Sequence, residues 1–336
     1  MPYRHVVLGT DGSEFATGAE RAAAAIALAC DAELYVVCVD DDAKRAGAAL
    51  ERAAKTASDK GVEVDTEAVS GSAADALCEI ADRSGAGLIA LGSRGLSMGT
   101  AILGSVASAV ANRGPCDVLL VASRGDEAKA HDYGRILIAT DGSATADRAA
   151  DRGVQLAERF GSAVTLLFVG HPKTGEMVLQ DTASTFGPHF EANLLILQGD
   201  PADMIMEGAE KVDAGLIVVG NKGLTGVRGK LLGSVPKRVS EFAPRDVLIV
   251  RTVTQSLSGI KSGSGGLVEV KGKTVAAYRD DAGGVHKLSP KCTHLGCTVG
   301  WNGADKTWDC PCHGSRYAPA GEVVQGPAKK ALEKLG

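Results

Sequence analysis

Cysteine and histidine residues near the carboxyl end of the chain are spaced as metal ligands often are. Cys292 is followed by His294, and Cys310 is followed by His313. Two thiolates and two neutral imidazoles can share a two-iron, two-sulfide unit, with the thiolates on one iron and the imidazoles on the other. Such a unit gains an electron more easily than an all-thiolate one, at roughly −150 to +300 mV rather than about −400 mV. The pattern therefore favours an iron-sulfur site of mixed ligation.

Each of these two segments contains one further cysteine, Cys297 in the first and Cys312 in the second. A disulfide can join them if their Cα atoms approach within about 7 Å, and we predict that bridge. Because cytosolic reductants normally keep thiols reduced, the folded loops would have to shield it.

The segment 267–336, with C-T-H-L-G-C at 292–297 and C-P-C-H at 310–313, resembles the Rieske [2Fe-2S] domain. The resemblance implies a small all-β domain that binds one [2Fe-2S] cluster. Its ligands would be Cys292, His294, Cys310 and His313.

The high-potential branch of that family, found in quinol-oxidising complexes, has a loop disulfide and hydroxyl groups that hydrogen-bond the cluster sulfurs. Ser315 and Tyr317 match those hydroxyls, and Gly326 with Pro327 matches the proline-containing loop that covers the cluster. Hydrogen bonds to sulfur stabilise the more negative, reduced state, so both hydroxyls are expected to raise the potential.

Two alternatives to this interpretation stay open. Two cysteines and two histidines also form a common tetrahedral zinc site, although zinc sites rarely add a cysteine to each ligand loop or continue as H-G-S-x-Y. The Rieske domain of ring-hydroxylating oxygenases lacks the loop cysteines and precedes a catalytic domain with mononuclear iron. Since the sequence stops soon after His313, we expect no such domain.

The preceding part of the chain contains an internal duplication. H-V-V-L-G-T-D-G-S at 5–13 returns as R-I-L-I-A-T-D-G-S at 135–143. G-L-I-A-L-G-S-R-G at 87–95 likewise returns as G-L-I-V-V-G-N-K-G at 215–223. In each copy, short apolar runs alternate with longer alanine-rich stretches, which is typical of a parallel sheet covered by helices. The strands predicted for the first copy lie at 5–9, 33–39, 62–69, 87–91 and 117–121. In the second copy, prolines and glycines within 171–189 argue against a regular helix.

Both copies, named repeat 1 and repeat 2, resemble the universal stress protein family. Its nucleotide-binding members carry Gly-x-x-Gly, nine residues, and then Gly-Ser or Gly-Thr. Repeat 2 has this whole pattern, whereas repeat 1 has only eight residues between Gly95 and Gly104. The resemblance assigns nucleotide binding to Asp141, Val169, Gly220, Gly223, Gly233, Ser234 and Val235 in repeat 2. The weaker set in repeat 1 is Asp11, Val39, Gly92, Gly95, Gly104 and Ser105.

The chemistry of this motif is a phosphate site. Glycines let the backbone approach phosphate oxygens, and a Gly-Ser step opens a helix whose free N–H groups favour an anion. A carboxylate at the end of a parallel strand lies where open sheets place ligands. The alternative is that these glycines only form tight turns. We predict ATP or a related adenine nucleotide in repeat 2 and regard repeat 1 as the weaker candidate.

The composition is that of an ordinary globular protein. The 336 residues are 45% hydrophobic with a net charge of −5, which leaves room for two or three domains. No run of lysine and arginine suggests a nucleic-acid surface. The most apolar stretch, 22–30, is too short to span a bilayer. The first residues run directly into a predicted strand, so we expect no signal peptide and a cytoplasmic protein without a membrane partner.

We expect three domains: repeat 1 at 1–123, repeat 2 at 134–252, and the Rieske domain at 267–336. A linker at 253–266, rich in serine and glycine, would act as a flexible tether. The fold class is α/β, with two doubly wound, Rossmann-like parallel sheets of the adenine nucleotide alpha hydrolase type, plus a small all-β domain. Stress proteins associate through their last strands, so 117–121 and 246–250 are predicted to pair as an internal pseudo-dimer. Whether two chains associate further is open.

These features suggest a stress-associated protein that couples nucleotide binding to one-electron transfer or redox sensing. No stand-alone catalytic residue is predicted. One alternative is an electron-transfer component of an oxidoreductase with a separate reductase, since the chain has no flavin or nicotinamide fingerprint. Another is a redox-sensing interaction scaffold. The redox donor and acceptor are unknown.

Overall fold

A computed structural model describes residues 2–93, 103–122, 133–187, 190–221, 232–251, 257, 260–270, 273–303, 305–310 and 313–335. The chain divides into two compact units. Unit 1 comprises Met1–Gln180 with Glu191–Arg251, and unit 2 comprises Asp181–Phe190 with Thr252–Gly336. In the described part of the chain, no helix is long and apolar enough to cross a lipid bilayer.

Repeat 1 alternates strands and helices as its sequence predicts. Its elements are β1 (His5–Thr10), α1 (Ala16–Cys30), β2 (Glu33–Val39), α2 (Ala43–Ser58), β3 (Val64–Val69), α3 (Ala73–Ser84), β4 (Leu88–Gly92), α4 (Ser105–Arg113) and β5 (Asp117–Val121). The strands predicted at 33–39 and 117–121 have the observed bounds, and the other three differ by one or two residues at an end.

Repeat 2 follows the same order. Its elements are β6 (Arg135–Ala139), α5 (Ala144–Phe160), β7 (Ala163–Val169), α6 (Pro172–Ser184), β8 (Asn193–Leu197), α7 (Pro201–Lys211), β9 (Leu216–Gly220), α8 (Ser234–Phe242) and β10 (Asp246–Val250). The prediction that no regular helix follows β7 is wrong. Pro172 lies in the first turn of α6, where its missing N–H does no harm. Gly175 packs against Phe168 and Ile196, where a Cβ would come within 2.9 to 3.0 Å.

The ten strands of the two repeats form one sheet, in the order β3-β2-β1-β4-β5-β10-β9-β6-β7-β8. All neighbours are parallel except β5 and β10, which pair antiparallel with Val118 opposite Ile249 and Leu120 opposite Val247. The predicted pairing of the last strands within one chain is therefore confirmed. Every residue of both strands is buried, because the pairing covers two edges that would otherwise be exposed.

Unit 2 contains two small antiparallel sheets. The first has β11 (Ser264–Val270), β12 (Lys273–Arg279) and β13 (Val285–Leu288), and the second has β14 (Gly300–Asn302), β15 (Thr307–Asp309), β16 (Arg316–Tyr317) and β17 (Val323–Gln325). Trp308 and Tyr317 are fully buried in their common core.

The predicted tether at 253–266 extends too far, because β11 already begins at Ser264. Gly265 and Gly266 pair with Tyr278 and Ala277. A Cβ on Gly265 would lie 2.6 Å from the ring of Trp301. Gly265 therefore allows the first strand of this domain to pack against an indole.

Candidate functional site

The residues predicted to bind nucleotide in repeat 1 surround a cavity of about 260 Å³. Asp11 follows β1, Val39 and Gly92 end β2 and β4, and Gly104 and Ser105 begin α4. These positions lie at the carboxyl ends of parallel strands, where doubly wound sheets hold their ligands. Gly95 lies outside the described residues.

The cavity of repeat 1 offers an acceptor and an anion-binding helix end. The N–H of Ser13 donates to Asp11 Oδ1 at 3.0 Å, which orients the carboxylate. Gly104 is the N-cap of α4 in extended conformation and has no side chain to cap the helix. Its own N–H donates to the carbonyl of Ser93 at 2.8 Å. The first N–H groups of α4 therefore lie at a cavity wall, where a phosphate would be favoured.

Repeat 2 places its predicted residues at the equivalent positions. Asp141 accepts the N–H of Ser143 at 3.0 Å, and Val169 and Gly220 end β7 and β9. Gly233 is the N-cap of α8, and its N–H donates to the carbonyl of Asn221 at 2.9 Å. Ser234 and Val235 form the first turn of α8, whereas Gly223 lies outside the described residues.

The four predicted metal ligands lie on two loops of unit 2. Cys292 and Cys310 are 2% and 3% exposed. The imidazole rings of His294 and His313 meet edge-on, with centroids 4.9 Å apart and an interplanar angle of 86°. His313 is exposed, whereas the Nδ1 atom of His294 is buried. The fold thus brings together two histidines that are far apart in sequence.

The donors fit a two-iron unit. His294 Nδ1 is buried without a hydrogen-bond partner, which is costly for a polar atom unless a ligand satisfies it. A mixed-ligand [2Fe-2S] unit takes two protein donors at each iron.

Backbone hydrogen bonds shape the two ligand loops. In the first loop, the N–H of Cys292 donates to the carbonyl of Cys297 at 2.7 Å, and the N–H of Gly296 donates to that of Cys292 at 2.8 Å. In the second, the N–H of Cys310 donates to the carbonyl of Ser315 at 2.7 Å. Cys297 is buried, but Cys312 lies outside the described residues, so the disulfide stays a prediction.

The hydroxyl of Tyr317 lies against the first ligand loop. It is 3.0 Å from Cys292 Sγ, accepts the N–H of Thr293 at 3.1 Å and lies 3.2 Å from Thr293 Oγ1. Burial, and then the hydrogen bond with Cys292, raise the pKa of Tyr317. The phenol therefore stays protonated and can donate to sulfur.

A third loop joins both ligand loops. Gly326 approaches the second loop so closely that a Cβ would lie 2.5 Å from the Cα of Ser315. Its φ of +101° also favours glycine. The N–H of Ala328 donates to Ser315 Oγ at 3.2 Å, and Thr293 Oγ1 donates to the carbonyl of Lys330 at 2.6 Å. Pro327 is exposed between these contacts, in the loop that the sequence predicts.

The sequence did not predict several polar contacts that join distant parts of the two repeats. Glu20 and Arg52 form an ion pair beneath the turn that carries Asp11. They come from two different helices, so no local motif relates them. Tyr3 and Tyr133 donate to the buried Asp117 and Asp246, each at 3.0 Å. This second pattern recurs in both repeats, so comparing the two copies in full would have found it.

Comparison with known families agrees with this architecture. The universal stress protein family model matches residues 2–122, 132–187 and 176–251, and the Rieske [2Fe-2S] domain model matches 252–336. A solved universal stress protein from Archaeoglobus fulgidus DSM 4304 superposes with a TM-score of 0.62 at 22% identity, covering 74% of this chain and 98% of that one. At this identity the likeness concerns the fold alone, an α/β sheet of the stress-protein type.

Curated relatives match the carboxyl-terminal part. YhfW of Bacillus subtilis, named as a Rieske 2Fe-2S iron-sulfur protein, is 51% identical over 76 residues, which are 23% of this chain and 15% of YhfW. The cytochrome b6-f complex iron-sulfur subunit of Synechococcus sp. (strain JA-3-3Ab) is 37% identical over 98 residues, 29% of this chain and 50% of that subunit. The chain thus spans at most half the length of these two relatives.

Proposed function

Because the chain belongs to the universal stress protein family and carries a Rieske [2Fe-2S] domain after its repeats, we propose that it couples nucleotide binding to one-electron transfer. Unit 2 would hold the redox centre, and the repeats of unit 1 would bind ATP or a related adenine nucleotide. Nucleotide occupancy would change how the redox domain meets its partner.

The redox part of the proposal rests on one observation. The imidazole rings of His294 and His313 meet edge-on, and one imidazole nitrogen is buried without a partner. The buried thiols of Cys292 and Cys310 lie on the same two loops. We assign these four side chains as the ligands. A [2Fe-2S] group held in this way would supply a reversible one-electron couple at a potential above that of all-thiolate clusters.

Other side chains of unit 2 would adjust that couple. The Tyr317 hydroxyl, 3.0 Å from Cys292 Sγ, stabilises negative charge on the sulfur and so raises the potential. Ser315 would act in the same way from the second loop. His313 on the second ligand loop and Leu295, which follows His294 on the first, are exposed, so the ligand loops are the surface that a redox partner would reach.

The nucleotide part rests on the cavity beside Asp11 and on the N-terminus of α4. The apolar side chains of Val37, Val39 and Leu91 line it, so one site offers an apolar wall, a carboxylate and a helix N-terminus. A nucleotide presents the matching parts: a flat ring, hydroxyl donors and a phosphate.

Anaerobic purification followed by spectroscopy tests the redox proposal. The protein should contain iron and acid-labile sulfide in equal amounts, absorb in the visible range and give a paramagnetic signal when reduced. Zinc with negligible sulfide would refute it. A potentiometric titration with and without ATP then tests the coupling, which requires that ATP change either the midpoint potential or the rate of reduction by a partner.

A second candidate is an electron-transfer component of a larger oxidoreductase, with its reductase on another chain. The names of the cytochrome b6-f relatives favour it. Fast and reversible electron exchange with a quinol or a flavoprotein, at a rate that ATP does not change, would support this candidate over coupling of electron transfer to nucleotide binding. Loss of the cluster on oxidation would instead favour a sensor.

A further inference from the structure

An ion pair in repeat 1 holds the turn that carries Asp11. Arg52 on α2 donates from Nη1 to the carbonyl of Gly12 at 2.7 Å and from Nη2 to that of Ser13 at 3.5 Å. The same guanidinium donates to the carboxylate of Glu20 on α1, at 2.7 Å from Nη2 and 3.4 Å from Nε. One side chain therefore ties the turn to two helices.

The carboxylate of Glu20 lies in an unusual place for a charge. Glu20 is 1% exposed, and a buried carboxylate is unfavourable unless it is paired and hydrogen-bonded. It accepts the hydroxyl of Thr10, the last residue of β1, at 2.8 Å. Thr10 Oγ1 in turn accepts the N–H of Gly12 at 3.3 Å. Glu20 and Arg52, which we call the clamp, thus join the strand end, the turn and both helices.

Repeat 2 has the same turn without the clamp. Thr140 Oγ1 accepts the N–H of Gly142 at 3.2 Å, as in repeat 1. The position equivalent to Glu20, however, is Ala150, which is 0% exposed. The sequence of α6, the counterpart of α2, contains no arginine. Gly142 faces the side chain of Val178 on α6, so apolar packing takes the place of an ion pair.

We propose that the clamp pre-organises repeat 1 as the tighter nucleotide site, with Glu20 and Arg52 as positioning residues for Asp11. This inference rests on the proposed nucleotide-binding function and deepens it by ranking the two sites. A turn that is already ordered loses less conformational entropy when a ligand binds, so affinity rises without a new contact. The ligand class is a mononucleotide with a donor for Asp11 and a phosphate for the first turn of α4.

The ranking contradicts the order that the glycine spacing predicts. One position is missing from the phosphate loop of repeat 1, which affects backbone contacts to phosphate. The clamp acts on a different strand, at the acceptor for the nucleoside. Affinity for ATP in each repeat can therefore be measured separately by replacing Asp11 or Asp141 alone.

Isothermal titration calorimetry of the full chain with magnesium and ATP distinguishes the repeats. Asp11→Asn should weaken the tightest ATP-binding event by at least about tenfold, because a charged acceptor is lost. Asp141→Asn should remove only a weaker event. Loss of the tight event in Asp141→Asn but not in Asp11→Asn overturns the inference and leaves the nucleotide function intact. A wild-type protein that binds no ATP overturns both.

The clamp itself is tested by removing both charges together. Glu20→Gln with Arg52→Gln leaves no unpaired buried charge, which preserves the fold, and should weaken tight ATP binding by about three- to tenfold. Arg52→Lys keeps one donor and should recover part of that loss. Arg83→Gln is the matched control, because Arg83 pairs with Glu67 in the same repeat and neither side chain lines the cavity. The Arg83→Gln protein should bind ATP with the wild-type affinity.

A double-mutant cycle separates positioning from general stability. In the Asp11→Asn background, the clamp variant should have no further effect on ATP affinity, because the clamp acts through Asp11. Thermal unfolding is followed in parallel to show that each variant is folded. Full additivity of the two losses, or native ATP affinity in a folded clamp variant, overturns the proposal.

Discussion

Replacing Tyr317 by phenylalanine removes one hydroxyl from the centre of the ligand loops and little else. The ring is fully buried, and phenylalanine retains its shape. The hydroxyl lies 3.0 Å from Cys292 Sγ and also contacts Thr293 through its backbone N–H and its side chain. The change therefore removes a hydrogen bond to a ligand sulfur and leaves the N–H of Thr293 without this acceptor.

The lost hydrogen bond to Cys292 Sγ affects the midpoint potential, and the lost acceptor for the Thr293 N–H affects stability. A hydrogen bond contributes about 1 kcal/mol net, and it is stronger when the sulfur carries more negative charge, as in the reduced state. If the two redox states differ by about 1 kcal/mol, the midpoint potential falls by about 40 mV for a one-electron couple. Because Thr293 is exposed, water can reach its N–H, and losing the Tyr317 acceptor lowers the free energy of unfolding of unit 2 by only about 1 kcal/mol.

Spectroelectrochemical titration of the purified variant measures this fall directly. Tyr278→Phe is the control, because Tyr278 lies in the same domain and stacks on Trp301 and His286 rather than on a ligand loop. The control should keep the wild-type potential. A Tyr317→Phe protein with full cluster absorption and an unchanged or higher potential would refute the assignment of this hydroxyl.

Three further changes test other parts of the molecule. His294→Ala should abolish the visible absorption of the cluster while unit 1 keeps its far-ultraviolet circular dichroism, since the two units are separately compact. Gly233→Val should remove ATP binding in repeat 2 and leave the visible spectrum of the cluster unchanged. Because the φ of −63° at Gly233 suits any residue, this variant tests whether a larger side chain blocks the approach of a phosphate rather than whether the backbone can adopt its conformation. Hydrogen bonds from Arg83, and then from Tyr35, lower the pKa of Glu67 in the folded protein. The ionised carboxylate therefore stabilises the fold at any pH above its unfolded pKa of about 4.3. This stabilisation is lost as the pH falls through the lower pKa of the folded state. Denaturant unfolding of Glu67→Gln should therefore show a deficit at neutral pH that narrows in acid, and a deficit independent of pH would contradict the pairing.

Local sequence patterns predicted most strands and the placement of the ligand loops. Strands of the central sheet are short apolar runs bounded by turns, so their bounds could be read within one or two residues. Sequence patterns do not predict helix α6, because Pro172 and Gly175 usually interrupt helices. Tertiary contacts decided otherwise: the proline lies in the first turn, and the glycine provides room for Phe168.

Long-range polar contacts could not be predicted in the same way. Glu20 and Arg52 lie 32 positions apart, and nothing in either helix indicates that they meet. Glycine spacing predicts how the backbone approaches a phosphate, but the order of the turn beside Asp11 depends on those distant side chains. Glycine spacing therefore favours repeat 2, whereas the proposed order of affinities depends on a contact that spacing does not describe.

The joint between the repeats shows how duplication produced a reciprocal interface. Asp117, at the start of β5, accepts the N–H of Arg251, the residue after β10, at 2.9 Å. Asp246, at the start of β10, accepts the N–H of Ala122, the residue after β5, at 3.0 Å. Each carboxylate thus fixes the point where the chain leaves the other repeat. Arg251 also donates from Nη2 to the carbonyl of Ala111 in the last turn of α4, at 2.6 Å, where a cation is favoured by the helix dipole.

Arg251 belongs to repeat 2 in sequence and also contacts the last turn of α4 in repeat 1. The opposite end of α4 forms part of the wall of the repeat 1 cavity, at Gly104 and Ser105. A ligand that orders this helix would also order the residue from which the chain continues to the Rieske domain. Coupling of nucleotide binding to the redox domain then requires no direct contact between a nucleotide and unit 2, only a difference in the order of α4 between the free and bound states.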